Sequence, residues 1–135
     1  MKPRLLFCVL VSLGASVYAG PRSYQCEVLE VVRLDHSTGK QRVRANDALL
    51  GHRFAVDRTT GILVSDYLLI WGEDKPLVLA RGSEENSFRV VWSARAGGKD
   101  GVHFATLKVE EFEKGDNKPF VYHSDSPTLA AGICK

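Results

Sequence analysis

The chain has 135 residues, with 18 Lys and Arg against 16 Asp and Glu and a formal charge of +2, a length that suits one domain and is short for two. Lys2 and Arg4 lie in the first nineteen residues, which hold no acid, so the remainder carries 16 charges of each sign. A neutral domain with no lysine or arginine run has no global attraction for nucleic acid or an anionic bilayer, and both are set aside as partners.

Residues 1–19 read as a cleavable export signal. Lys2 and Arg4 give the positive start, and residues 5–13 (LLFCVLVSL) an apolar run well short of the ~20 residues that span a bilayer. Val17-Tyr18-Ala19 has the small-x-small form that signal peptidase accepts. The expected product is therefore a single β domain over 20–135, periplasmic or secreted, with no membrane insertion after signal cleavage. Cys8 leaves with the signal, and the mature part keeps Cys26 near its start and Cys134 near its end. In an oxidising compartment two such thiols are expected to form a disulfide, which requires the first and last strands to meet.

Residues 24–34 (YQCEVLEVVRL) read as a first strand whose alternation slips around Leu29-Glu30-Val31, where a bulge restores the inward face. Residues 35–40 (DHSTGK) form a turn by composition. Residues 46–51 (NDALLG) read as one short helical turn, capped by Asn46 and ended by Gly51. Phe54-Ala55-Val56 and Ile62-Leu63-Val64 flank Asp57-Arg58-Thr59-Thr60-Gly61, the strongest hairpin signal in the chain. Residues 67–71 (YLLIW) and 77–80 (LVLA) suggest a second hairpin-like unit around residues 72–76. Phe88, Val90 and Trp92 alternate with Arg89, Val91 and Ser93, so one face of that strand is apolar. A glycine-rich connection over 96–101 leads to a strand over 102–112, residues 113–119 turn the chain, Phe120-Val121-Tyr122 is a short strand, and residues 129–134 close the domain. Beyond the signal no stretch sustains a helical period. The fold class expected is all-β: a small antiparallel β-barrel or sandwich of about eight strands, with one short helical turn and a disulfide between its end strands.

Few residues suggest chemistry. His36, His52, His103 and His123 show no metal-ligand spacing with each other or with cysteine. His123-Ser124-Asp125-Ser126 contains the letters of a hydrolytic triad, but adjacent residues cannot converge as one, and the segment reads as a polar turn before Pro127. Glu110, Glu111 and Glu113 read as a solvated strand face rather than facing catalytic carboxylates. The loop at 96–101 lacks the G-K-[ST] ending of a phosphate loop. Arg95, Lys99 and Asp100 give its surroundings charge, and Tyr67 and Trp71 bracket the most apolar run; these five are the candidate partner-binding residues.

Three pieces carry a resemblance: Gly51-x-x-Phe54-x-Val56-Asp57-Arg58-x-Thr60-Gly61, then Gly82-Ser83-x-x-Asn86-Ser87-Phe88, then Lys118-Pro119-Phe120 followed by Gly132-x-Cys134. Together they resemble a group of small exported bacterial proteins with which no activity is associated. In size, export and cysteine placement the chain is also similar to the periplasmic inhibitors of c-type lysozyme, small β-barrels, although it lacks their S-G-x-x-Y inhibitory loop, so no inhibitory residue carries over. The function expected is non-enzymatic: a binding protein without cofactor, acting on another protein or an envelope component, with inhibitor or immunity action as one form. The alternative is a small-molecule carrier whose barrel interior is lined by Phe54, Trp71, Trp92 and Phe104.

Overall fold

The computed structural model describes residues 22–65, 68, 75–83, 85–95, 102–125 and 128–135, Arg95 through its backbone alone. Among the described residues nine strands run in chain order: β1 (Ser23–Asp35), β2 (Lys40–Val43), β3 (Arg53–Asp57), β4 (Leu63–Val64), β5 (Leu77–Arg81), β6 (Phe88–Arg95), β7 (Val102–Val109), β8 (Lys118–Ser124) and β9 (Thr128–Cys134). Eight of them form one antiparallel path, β4-β3-β1-β9-β8-β7-β6-β5, which curls as a half-barrel. β1 is long enough to serve two neighbours along one edge: Ser23 to Glu27 pair with β3, and Val32 to Asp35 pair with β2. The expectation of an all-β antiparallel fold is met at that level.

Alternation decides which side of each strand is buried. Tyr24, Cys26 and Val28 of β1, Phe54 and Val56 of β3, Phe88, Val90 and Trp92 of β6, Leu107 and Val109 of β7, and Phe120 and Tyr122 of β8 all point into the curl. Aromatic rings meet there, Tyr24 tilted against Phe88 and Phe54 edge-on to Phe120, each pair with centroids 5.2 Å apart. Across the β1–β9 ladder Cys26 stands directly opposite Cys134, and the disulfide joins these two neighbouring strands inside the path.

The slip foreseen around Leu29 is a bulge: Val28 pairs with Gly132 but Glu30 pairs with Ala131, leaving Leu29 as the extra residue, exposed. Gly132 is what lets the strands close up there. A Cβ at that position would sit 1.9 Å from the carbonyl oxygen of Glu27 and 2.8 Å from the Phe120 ring, which lies opposite in register.

Residues 46–51 form no helical turn; they make two overlapping β-turns, with Leu50 N bonded to Asp47 O and His52 N to Leu49 O. The cap is Asp47 rather than Asn46, its carboxylate accepting from Leu49 N at 3.0 Å. Gly51 N and His52 O are taken by the backbone of Val28 in β1, so the ladder wins them before a helix can. Of the 67–71 run only Leu68 is described, and it is buried in the core.

Candidate functional site

The five residues suggested as partner-binding fall mostly outside the described part. Tyr67, Trp71, Lys99 and Asp100 lie outside it, and Arg95 is placed only by its backbone, which ends β6 opposite Val102. Of the four suggested interior residues, Phe54 and Trp92 belong to the packed core, and Trp92 Nε1 donates to Gly61 O at 2.9 Å. Trp71 lies outside the described residues. Phe104 is on the opposite side of the sheet, because Ala105, Leu107 and Val109 take the inward phase of β7.

The acidic cluster also differs from expectation. β7 ends at Val109, so Glu110, Glu111 and Glu113 lie in the connection after it and form no strand face. Glu111 turns inward and is only 8 % exposed. The Tyr24 hydroxyl donates to its Oε1, and Arg58 Nη2 lies 3.4 Å from the same oxygen. The Arg58 guanidinium sits 5.2 Å above the Tyr24 ring and donates to the carbonyls of Arg81 and Gly82 at 3.0 and 3.1 Å. Burial first, and then the hydrogen bond to Glu111, hold the Tyr24 phenol well above its usual range. Among the described residues β4 and β5 are not paired with each other. Arg58, on the turn between β3 and β4, therefore ties one end of the open sheet to the end of β5, and this network is a closure for the fold.

The remaining polar groups are local. Glu110 accepts from the Ser87 hydroxyl at 2.8 Å and pairs with Lys108, whose hydrogen bond holds the carboxyl below its usual range. His123 and Ser124 are the last residues of β8 rather than part of a turn, and Asp125 just beyond them pairs with His103 Nδ1. Among the described residues no three His, Cys, Asp or Glu side chains gather as metal ligands.

What the strand register does assemble lies on the convex side. Leu77 of β5 is opposite Val91, Val91 opposite Thr106, and Thr106 opposite His123. The row continues from His123 to Leu129, Val32 and finally Val43 of β2. It crosses seven strands at right angles without a Lys, Arg, Asp or Glu. Phe104, in ring contact with His123, and Val121, two residues before it on β8, widen the row and are 44 % and 41 % exposed. This row was missed in the sequence because its members are spread over seven strands and only register aligns them.

At its β2 end the row reaches a two-stranded ribbon with a different character. Lys40, Gln41, Arg42 and Val43 are all exposed, and among the described residues β2 pairs with β1 alone. Arg33 of β1 is bound by Asp47 through Nε at 2.6 Å and Nη2 at 3.3 Å, and reaches the Thr128 hydroxyl at 2.8 Å. That hydrogen bonding holds the Asp47 carboxyl below its usual range. Arg33, Val43, Arg44, Ala45, Asn46 and Asp47 line a cleft of about 380 Å³ beside the ribbon.

No family model, curated protein or solved structure matches the chain.

Proposed function

We propose that this is an exported, non-enzymatic binding protein that presents the convex face of its sheet to another protein of the cell envelope, with inhibitor or immunity action as one form. The observation that carries the reading is the uncharged transverse row from Leu77 to Val43, broadened by Phe104 and Val121. Leu77, Val43, Phe104 and Val121 on this face are exposed while Val32, Val91 and Leu129 between them are half-buried, and exposed apolar side chains gathered on one face are the usual mark of an interaction site. A convex ridge of this kind complements a cleft, and the aromatic core and the disulfide beneath it keep the face in one shape, which limits the ordering cost of association. The disulfide is consistent with a location outside the cytoplasm, where such bonds persist.

The test places a photo-crosslinking residue at Val121 or Phe104 in cells making the full chain, with Lys114, in the turn before β8, as the control. The expected result is one discrete adduct from the face positions and none from Lys114. Equal, diffuse labelling from all three positions overturns the reading.

A further inference from the structure

The edge of β2 away from β1, which pairs with no other strand among the described residues, offers something the apolar row does not: backbone groups and a fixed pattern of charge. Arg44 N donates to Val31 O at 2.8 Å, which fixes the phase of the β1–β2 ladder. Hydrogen-bonded pairs alternate along an antiparallel ribbon, so Arg33 with Arg42 and Asp35 with Lys40 are the bonded pairs. The N–H and C=O groups of Gln41 and Val43 then point away from β1, toward the free edge. The same alternation places Lys40, Arg42 and Arg44 on one side of the ribbon, at every second residue.

Charge on that side is not balanced locally. Asp47 is bonded to Arg33 and also feels the charge of Arg44, and Asp35, opposite Lys40 in register, pairs with Arg42 at 3.4 Å, so two carboxylates face four cations. Lys40 and Arg44 have no carboxylate within ion-pair distance among the described residues. The segment 31–47 thus holds Arg33, Lys40, Arg42 and Arg44 against Asp35 and Asp47 alone, an excess of two positive charges, 4 − 2, on a mature chain with 16 of each sign. Lysine and arginine on an edge strand also deter unwanted pairing with identical edges. The same feature makes the edge selective for a strand of opposite charge.

From the open edge, the alternate cations and the adjoining cleft, we infer that β2 is a docking edge for an extended acidic segment of the partner protein, one that adds as a further strand beside Gln41 and Val43 with Asp or Glu at alternate positions. The inference rests on the binding reading above and names where and how the partner is held. Main-chain hydrogen bonds give such strand addition its affinity, and alternate side chains its specificity. Two incoming carboxylates meet Lys40 and Arg44 across the added strand, and the cleft lined by Arg44 and Asn46 receives the side chain at the end of the segment. The opposite side chains of the added strand lie beside Gln41 and Val43, which extends the apolar row by one strand.

The probe is a synthetic hexapeptide alternating Glu with Val, with two comparisons: its Lys-for-Glu counterpart and an isomer with the three Glu residues adjacent. Binding to the disulfide-bonded chain is read by fluorescence anisotropy at low salt. Val43→Pro removes one outward N–H without touching the bond from Arg44 to Val31, and proline is tolerated on an edge with its nitrogen toward solvent. Arg44→Glu reverses one cation. The alternating acidic peptide is expected to bind wild type and to weaken at least tenfold with each variant, while both comparison peptides bind at least tenfold more weakly than it does. Retention of wild-type affinity by Val43→Pro, with an unchanged thermal midpoint showing the variant folded, overturns strand addition. Equal binding of the adjacent-Glu isomer overturns the register. A chain that still crosslinks a partner through Val121 but ignores the acidic peptide leaves the binding reading standing and removes β2 as its edge.

Discussion

Arg58 shows how much one side chain does in this molecule. It is charged, lies on a turn, and its side chain is only 15 % exposed. Its partners come from β1, from the end of β5 and from the connection after β7, so it holds together parts that no strand ladder joins. Removing one member of such a buried pair leaves the other charge without compensation, at a cost of roughly 3–5 kcal/mol. Arg58→Met is accordingly expected to lower the urea unfolding free energy at pH 7 by about 3 kcal/mol. Adding Glu111→Gln is expected to restore part of that loss, because a neutral amide still accepts from the Tyr24 hydroxyl. Strictly additive losses in the double variant would show that the two residues do not act as a pair. The closure was not readable in the sequence: Glu111 and Tyr24 are 87 positions apart, and the Glu110–Glu113 stretch imitates a strand. Only the neighbourhood of Arg58 was marked, since the segments around Phe54 and around Gly82 stood out as separate pieces. Arg58 bonding to Gly82 O is what joins them.

At the scale of the element, local patterns are what the sequence states plainly. The apolar alternation of Phe88, Val90 and Trp92, the slip at Leu29 and the turn from Asp57 to Gly61 each depend on a few neighbouring residues, and each appears where it was expected. The last of these shares its device with the turn between β1 and β2. Asp35-His36-Ser37-Thr38-Gly39 and Asp57-Arg58-Thr59-Thr60-Gly61 both place a carboxylate oxygen on the amides two and three residues on, and both end on a glycine at positive φ. Phe104 and the turns at 46–51 were misread because strand phase and the competing bonds of Val28 are set by distant partners. The connection from β2 to β3 gives an acid-sensitive element. Arg33 holds Asp47 ionised below its usual range, so the unfolded chain binds a proton there before the folded one does. Stability from this pair is fully present above the unfolded value of about 3.9 and is lost as pH falls below it. Asp35 and Asp57 are shifted in the same direction, chiefly by hydrogen bonds from Ser37 and Thr60 respectively. The thermal midpoint is expected to stay level from pH 7 to pH 5 and to fall below pH 4. Asp47→Asn should lower the plateau while making the fall shallower; an unchanged slope would remove Asp47 from the acid response.

Over the whole molecule, the disulfide and the sheet path perform related tasks by different means. β1 and β9 are neighbours inside the path, so Cys26 and Cys134 face each other through pairing that the ladder already makes, and the bond joins residues that the folded sheet already holds opposite each other. Its effect therefore falls on the unfolded chain. Cross-linking residues 108 positions apart removes loop-closure entropy worth about 4–5 kcal/mol in the chain-entropy model, while native disulfides typically contribute 2–5. Against a usual domain stability of roughly 5–15 kcal/mol that is a large share, yet not the whole. A Cys26→Ser, Cys134→Ser chain is expected to fold at 25 °C with the near-ultraviolet circular dichroism of the wild type. Its unfolding midpoint should fall by roughly 10–20 °C, taking about 4 °C for each kcal/mol in a domain of this size. The discriminating quantity is the denaturant slope. A chain no longer tied at its ends unfolds to a more expanded ensemble, exposes more surface and shows a larger m-value. A lower midpoint with an unchanged m-value and an altered near-ultraviolet spectrum would place the effect in the folded sheet instead. In that case the convex face would lose its fixed shape with the bond, and crosslinking through Val121 would fail in reduced protein as well.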